Sequence, residues 1–145
     1  MFEKVLVPLY MLSCMDGEIR GRTRFQKLVF LTKEKMKEDD EDVQIQFTRL
    51  FYGPFSRELM ESLKSLNKEG LIAEQVEEGS YGLVYVYKLT DNGRAFVKDS
   101  MSRKLLNRQT KKKIRDVAKD FGQTPLDDLI SFVYSNYPDY DPHKQ

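Results

Sequence analysis

Two runs of cations carry most of the chemistry legible in this 145-residue chain. Arg108, Lys111, Lys112, Arg115 and Lys119 follow i, i+3, i+4, i+7 and i+11 spacing. On a helix turning about 100° per residue, all five fall within about ±60° of a common direction. Ile114, Val117, Ala118 and Phe121 occupy a separate side, so the segment predicts an amphipathic helix with a packed face and a cationic stripe. Such a stripe meets a polyanion or an acidic protein surface, is neutralised from within the chain, or is a solvated face. The run Glu38–Asp42 and the residues Asp127, Asp128, Asp139 and Asp141 are the candidates for internal neutralisation. A second cluster, Arg20, Arg22, Arg24 and Lys27, lies at the expected start of a helix. There the backbone N–H groups add positive potential and can also meet a phosphate.

Catalytic chemistry finds little support. His143 is the only histidine and lies near the end of the sequence, so no Ser-His or Cys-His pair assembles. Cys14 is the only cysteine, which excludes an internal disulfide framework and a multi-cysteine metal site. Its neighbours Met11, Leu12 and Met15 favour a buried, unreactive thiol. The acidic run at 38–42 lacks the spaced Asp/Asn and Gly of a calcium loop. The expectation is a protein that is not an enzyme and needs no cofactor or metal. With a net charge of only +1, any electrostatic function must come from uneven distribution. No apolar run approaches the ~20 residues of a membrane span and no signal-peptide pattern opens the chain. A cytoplasmic protein with no membrane contact is expected.

The elements that must position these cations follow from periodicity. Residues 2–15 are strongly apolar, and Pro8 either starts a helix there or kinks one. Thr23 with Gln26 three residues on has the pattern of a capping box, before a helix buried through Phe25, Leu28, Val29, Thr32 and Met36. Residues 38–42 read as an exposed loop. Val43, Ile45, Phe47 and Phe51 alternate with polar residues, predicting a half-buried strand. Leu59, Leu63 and Leu66 line a helix from about Pro54 to Glu69, with Gly70 as its C-cap. Arg57, Lys64 and Lys68 share its polar face with Glu61. Two strands, 71–77 and 83–89, flank hairpin chemistry at Glu78–Gly82. Thr90–Gly93 opens a further helix through Ala95, Phe96 and Met101, and Thr124-Pro125 opens the last one.

This order of helix, basic helix, strand, leucine-seamed helix and hairpin describes an α+β fold, a winged helix-turn-helix core with a two-stranded β-wing and added C-terminal helices. Four motifs appear in register: TRFQKLVFL (Thr23 to Leu31), FYGPFSREL (Phe51 to Leu59), LNKEGLI (Leu66 to Ile72) and YKLTDNGRAF (Tyr87 to Phe96). Together they resemble the family of YwgA-like proteins and Panacea-domain, SocA-like antitoxins, over residues 20–97. The resemblance implies that Tyr52–Ser56 is the turn docking the third helix, with Phe51 and Phe55 wedged into the core. The chain then reads as a winged-helix domain at 1–100, a helical extension at 101–138 that packs on it or dimerises it, and a flexible tail at 139–145. Winged-helix relatives commonly bind double-stranded DNA, so a DNA-binding transcriptional regulator is the first expectation. Arg57, Lys64 and Lys68 would then face bases and phosphates, with the two cation clusters on the backbone. The antitoxin branch implies the alternative, a module that holds a protein partner, an acidic one for these cations, without touching DNA. Glu58, Glu61 and Glu69 on the third helix and Glu77 and Glu78 on the wing favour that alternative.

Overall fold

Pro8 does not interrupt the apolar opening segment. A single helix, α1 (Glu3–Cys14), runs through it and buries Leu6, Val7, Leu9, Met11 and Leu12. The structure is a computed structural model and describes residues 2–51 and 53–144. Asp16 and Gly17, both at positive φ, turn the chain into a three-residue strand, β1 (Glu18–Arg20). Three residues are too few for a legible period, and this strand was not anticipated.

Gly21, at φ +96°, then starts α2 (Arg22–Glu38). The expected capping box does not form, because no side chain caps this helix. Gln26 is buried instead and clamps the chain before the third helix. Its amide donates to the Ser56 carbonyl (3.1 Å) and its oxygen accepts from the Ser56 N–H (2.7 Å). Two bonds to buried backbone outweigh one exposed bond to the helix start.

The alternation at 43–47 holds for burial, with Val43 and Ile45 fully enclosed, but the strand itself is shorter than expected. Only β2 (Thr48–Leu50) pairs, antiparallel to β3 (Gly53–Phe55). Upstream, the N–H of Gln44 donates to Glu3 and that of Gln46 to Glu58, each at 2.7 Å. Carboxylates take the donors that a neighbouring strand would have taken. Pro54 therefore belongs to β3 and not to the next helix. That helix, α3 (Arg57–Lys68), starts at Ser56, whose hydroxyl accepts from the Leu59 N–H at 3.1 Å. Phe55 is half-buried, but Phe51 is 85% exposed, so it does not wedge into the core. Tyr52 lies outside the described residues.

β4 (Ile72–Gly79) and β5 (Gly82–Leu89) form the hairpin, and β1 adds to the outer side of β5, giving the order β1-β5-β4. Thr90 caps α4 (Asp91–Ser102), whose buried positions are Gly93, Val97 and Ser100; Phe96 is partly exposed. α5 (Arg108–Phe121) packs on α1 and α2, and α6 (Leu126–Asn136) packs on α2. Ile114, Val117, Leu129 and Val133 thereby join the same core as Phe25, Leu28 and Leu59. Within the segment expected to fray after residue 138, Tyr140 packs on the core while His143 and Lys144 are exposed. Tyr140 lies 4.7 Å from the Phe30 ring and Tyr137 lies 5.3 Å from it, both edge-on. No helix among the described residues is long and apolar enough to cross a membrane.

Candidate functional site

The cluster at the start of α2 is tied to neighbouring elements, with Arg20 and Arg22 still exposed and only Lys27 fully enclosed. Arg20 pairs with Glu77 of the wing. Arg22 lies 3.4 Å over the Tyr85 ring and donates to Glu74 (3.1 Å) and to the Tyr87 hydroxyl (3.2 Å). Arg24 donates to the carbonyls of Gly122 (3.2 Å) and Thr124 (2.6 Å), closing the turn from α5 to α6. Lys27 is 1% exposed, with its ammonium 5.8 Å from the centre of the Tyr134 ring. Burial pulls its pKa down to about 8. The cluster expected to face phosphate is thus already engaged within the chain. Two of its arginines hold wing glutamates, one holds a turn, and the lysine is enclosed.

The other cations face solvent in two separate places. Arg57, Lys64 and Lys68 are exposed on α3, which packs on α1 and β4. Glu58 does not join them. It pairs with Lys4 and accepts from the Gln46 N–H, and these contacts hold its carboxyl below the usual range. On α5, Arg108, Lys112, Arg115 and Lys119 are exposed and Lys111 is half-buried. Lys112 pairs with Asp116 at 2.9 Å, and Arg115 donates to the Tyr10 hydroxyl at 3.1 Å. The acidic loop reaches α5 only beside the stripe, where Asp39 pairs with Lys113 at 2.9 Å; Asp42 pairs with Lys33 at 3.1 Å. Cys14 is half-buried, and burial raises its thiol pKa, which keeps it protonated and unreactive.

A groove of about 1080 Å³ opens over the first two turns of α2. Its walls are apolar and exposed: Leu50 (46%) and Phe51 (85%) on one side, Leu83 (66%) on the wing, and Leu126 (39%) at the start of α6. Along β5 the buried side fades outward, from Leu89 and Tyr87 in the core through half-buried Tyr85 to exposed Leu83. Reasoning from the sequence missed these residues as a site. For Phe51 and Leu83 the signal is that each continues an apolar alternation beyond the point where the core can cover it.

No family model matches the chain. Over 82 residues, or 57% of its length, the chain is 33% identical to the uncharacterized protein YwgA of Bacillus subtilis (strain 168). The match covers 47% of YwgA, so the chain spans about half the length of that relative. It is a distant homologue of YwgA.

Proposed function

We propose that this chain is a winged-helix protein of the antitoxin or adaptor type, which works by holding a protein partner in the groove over α2. Apart from the β2–β3 pair inserted between α2 and α3, the element order α1, β1, α2, α3, β4, β5, with β1 on the outer side of the hairpin, supports the winged-helix reading. The observation that carries the partner reading is the wall of the groove. Leu50, Phe51 and Leu83 are large, apolar and exposed beside a large cleft, which marks a surface made to be covered. A wing built to lie on phosphate would carry cations there. This one exposes Val76, Tyr81 and Leu83, and its Glu77 is already matched by Arg20.

Direct DNA contact through α3 is the second reading, favoured by one observation. With Glu58 drawn toward Lys4, the outer face of α3 presents Arg57, Lys64 and Lys68 against Glu61. One titration separates the two. Random-sequence duplex, followed by fluorescence anisotropy at low salt and at about 0.2 M salt, should not bind the full chain at either. A photo-crosslinker at Phe51, introduced in the cells that make the protein, should instead yield a protein adduct, and one at Lys64 should not. Duplex binding that Arg57→Ala and Lys64→Ala each weaken would replace the first reading with the second.

A further inference from the structure

We infer that the groove takes an extended, acidic segment of a protein partner, added as a strand to the outer edge of β5 at Leu83–Tyr85. This rests on the partner reading above and specifies its chemistry. β1 pairs with β5 only from Val86 to Lys88, because Gly21 then swings the chain into α2. The Leu89 N–H donates to Gly17 and the Tyr85 carbonyl accepts from Gly21, so alternate residues of β5 point their backbone groups to the β1 side. Leu83 belongs to that set and lies three residues beyond Val86, where β1's pairing ends. Among the described residues no strand pairs there. An open strand edge beside an apolar groove is a template for strand addition.

The other free edge of the sheet is not equivalent. β4 carries exposed Gln75, Glu77 and Glu78, and charge along an edge discourages pairing. The edge at Leu83 has no such guard, and its apolar neighbours across the groove are Leu50 and Phe51.

Charge selects the occupant. Four cations line the groove, Arg20, Arg22, Arg24 and Lys27, against Asp16 and Glu18; Glu77 and Glu74 match Arg20 and Arg22 and Lys27 is enclosed, so the positive surplus open to an occupant sits at Arg24 and the start of α2. The first turn of α2 has no acidic residue and no side-chain cap, so the positive end of a 17-residue helix opens on the groove floor with Arg22 and Arg24 beside it. Arg24 is held by carbonyls, and no carboxylate among the described residues pairs with it. A strand whose apolar side chains meet Leu83 and Phe51 and whose carboxylates meet the start of α2 fits all three features.

The test is selection of a random-peptide display library on the purified full chain, followed by hydrogen exchange with the enriched peptides. Enrichment of acidic sequences with alternating apolar residues, and slowed exchange at the Leu83 amide, are expected. Leu83→Pro should weaken those peptides at least 10-fold, since it removes an outward-pointing donor and no ladder bond within the sheet. Leu83→Asp, which keeps the amide but repels carboxylates, should weaken them as well. Both variants should keep the wild-type melting temperature within a few degrees. Peptides that protect α3 or α5, or that bind both variants at wild-type strength, would overturn strand addition and leave the partner reading standing. Enrichment of basic peptides, or of none, would also overturn it. Failure of the partner reading itself shows separately, as duplex binding that depends on Arg57.

Discussion

Arg22 and Arg115 each belong to a run of cations on or beside a helix, and the fold uses them in opposite ways. Around Arg22 the cations are structural parts. They meet Glu74, Glu77, two carbonyls and aromatic rings, and Lys27 has only 1% of its surface left in water. Around Arg115 the cations stand off a packed helix, and Arg108, Lys111 and Lys119 have no carboxylate within 4 Å among the described residues. The difference lies in what the helices pack against. α2 runs through the middle of the molecule, in contact with α5, α6, β1, β3 and β5, so its polar side chains must find partners inside. α5 lies across one side of α1 and α2, and half of its surface remains in water. Similar charge patterns can therefore carry opposite roles, and the partners that surrounding elements bring decide between them.

The largest way to break the first region is through its lid. Gly53 sits at φ +100°, and a Cβ placed there would lie 2.8 Å from the Tyr134 ring and 3.4 Å from the Lys27 ammonium. Gly53→Val should destabilise the protein by about 2–6 kcal/mol, combining backbone strain with overpacking. Thermal or urea unfolding measures it, and an unchanged melting temperature would remove Gly53 as the support of this turn.

Next comes pH. Lys27 has its pKa lowered from 10.5 to about 8, so the unfolded chain binds its proton more tightly than the folded one. Stability should therefore rise with pH, beginning near pH 8 and complete near the unfolded pKa, by at most about 3 kcal/mol. The hydroxyls of Tyr87, Tyr134 and Tyr137 are pushed upward by burial and act with the opposite sign above pH 10. The Cys14 thiol, raised by burial from 9.0, also acts with the opposite sign, so the clean window is pH 8 to 9. Urea titrations there should show the rise in wild type and a flat profile in Lys27→Met; the slope is the readout, whatever the absolute stability of the variant.

A paired substitution sharpens the contrast at smaller scale. Arg24→Ala removes charge-assisted bonds to two carbonyls at the α5–α6 turn and should cost about 1–3 kcal/mol. Lys119→Ala removes an exposed cation with no such partner and should stay within about 0.5 kcal/mol. Equal losses from chemical denaturation would erase the distinction between the clusters.

The sequence announced the stripe and not the ties of the first cluster, for a physical reason. A helical period reports which residues share a face, and Ile114, Val117 and Ala118 do pack as that period requires. It does not report how deep a helix lies in the molecule. Lys27 and Gln26 are buried because β3, α3 and α6 close over them, and those contacts are 26 residues or more away in sequence. The leucine seam of α3 and the β4–β5 hairpin were legible because each depends on local period and turn chemistry. β1 and the shortened β2 were not, since partners supplied from distant residues set their limits. The groove was hidden for the same reason. Leu83 and Phe51 read as the ends of buried runs, and only their distance from the core makes them walls.

The smallest expected effect belongs to the stripe, and it tests the second region directly. Reversing Lys112 and Arg115 to Glu breaks the pair with Asp116 and the bond to Tyr10, and sets two acids beside a third. On an exposed helix face each such change is worth a few tenths of a kcal/mol, so the double variant should lose no more than about 1 kcal/mol. If the stripe is a solvated face, nothing else should change. The groove peptides should bind as before, because α5 reaches the groove only through Gly122 and Gln123 at its end. Were the stripe laid on a nucleic-acid backbone, the same reversal would flatten the slope of log K against log salt by about two units, equally for every duplex sequence. Titrating wild type and variant against two unrelated duplexes at several salt concentrations measures that slope. A change of two units would move the stripe from solvent to phosphate, and the contrast between the two clusters would then be between an outside partner and partners within the chain.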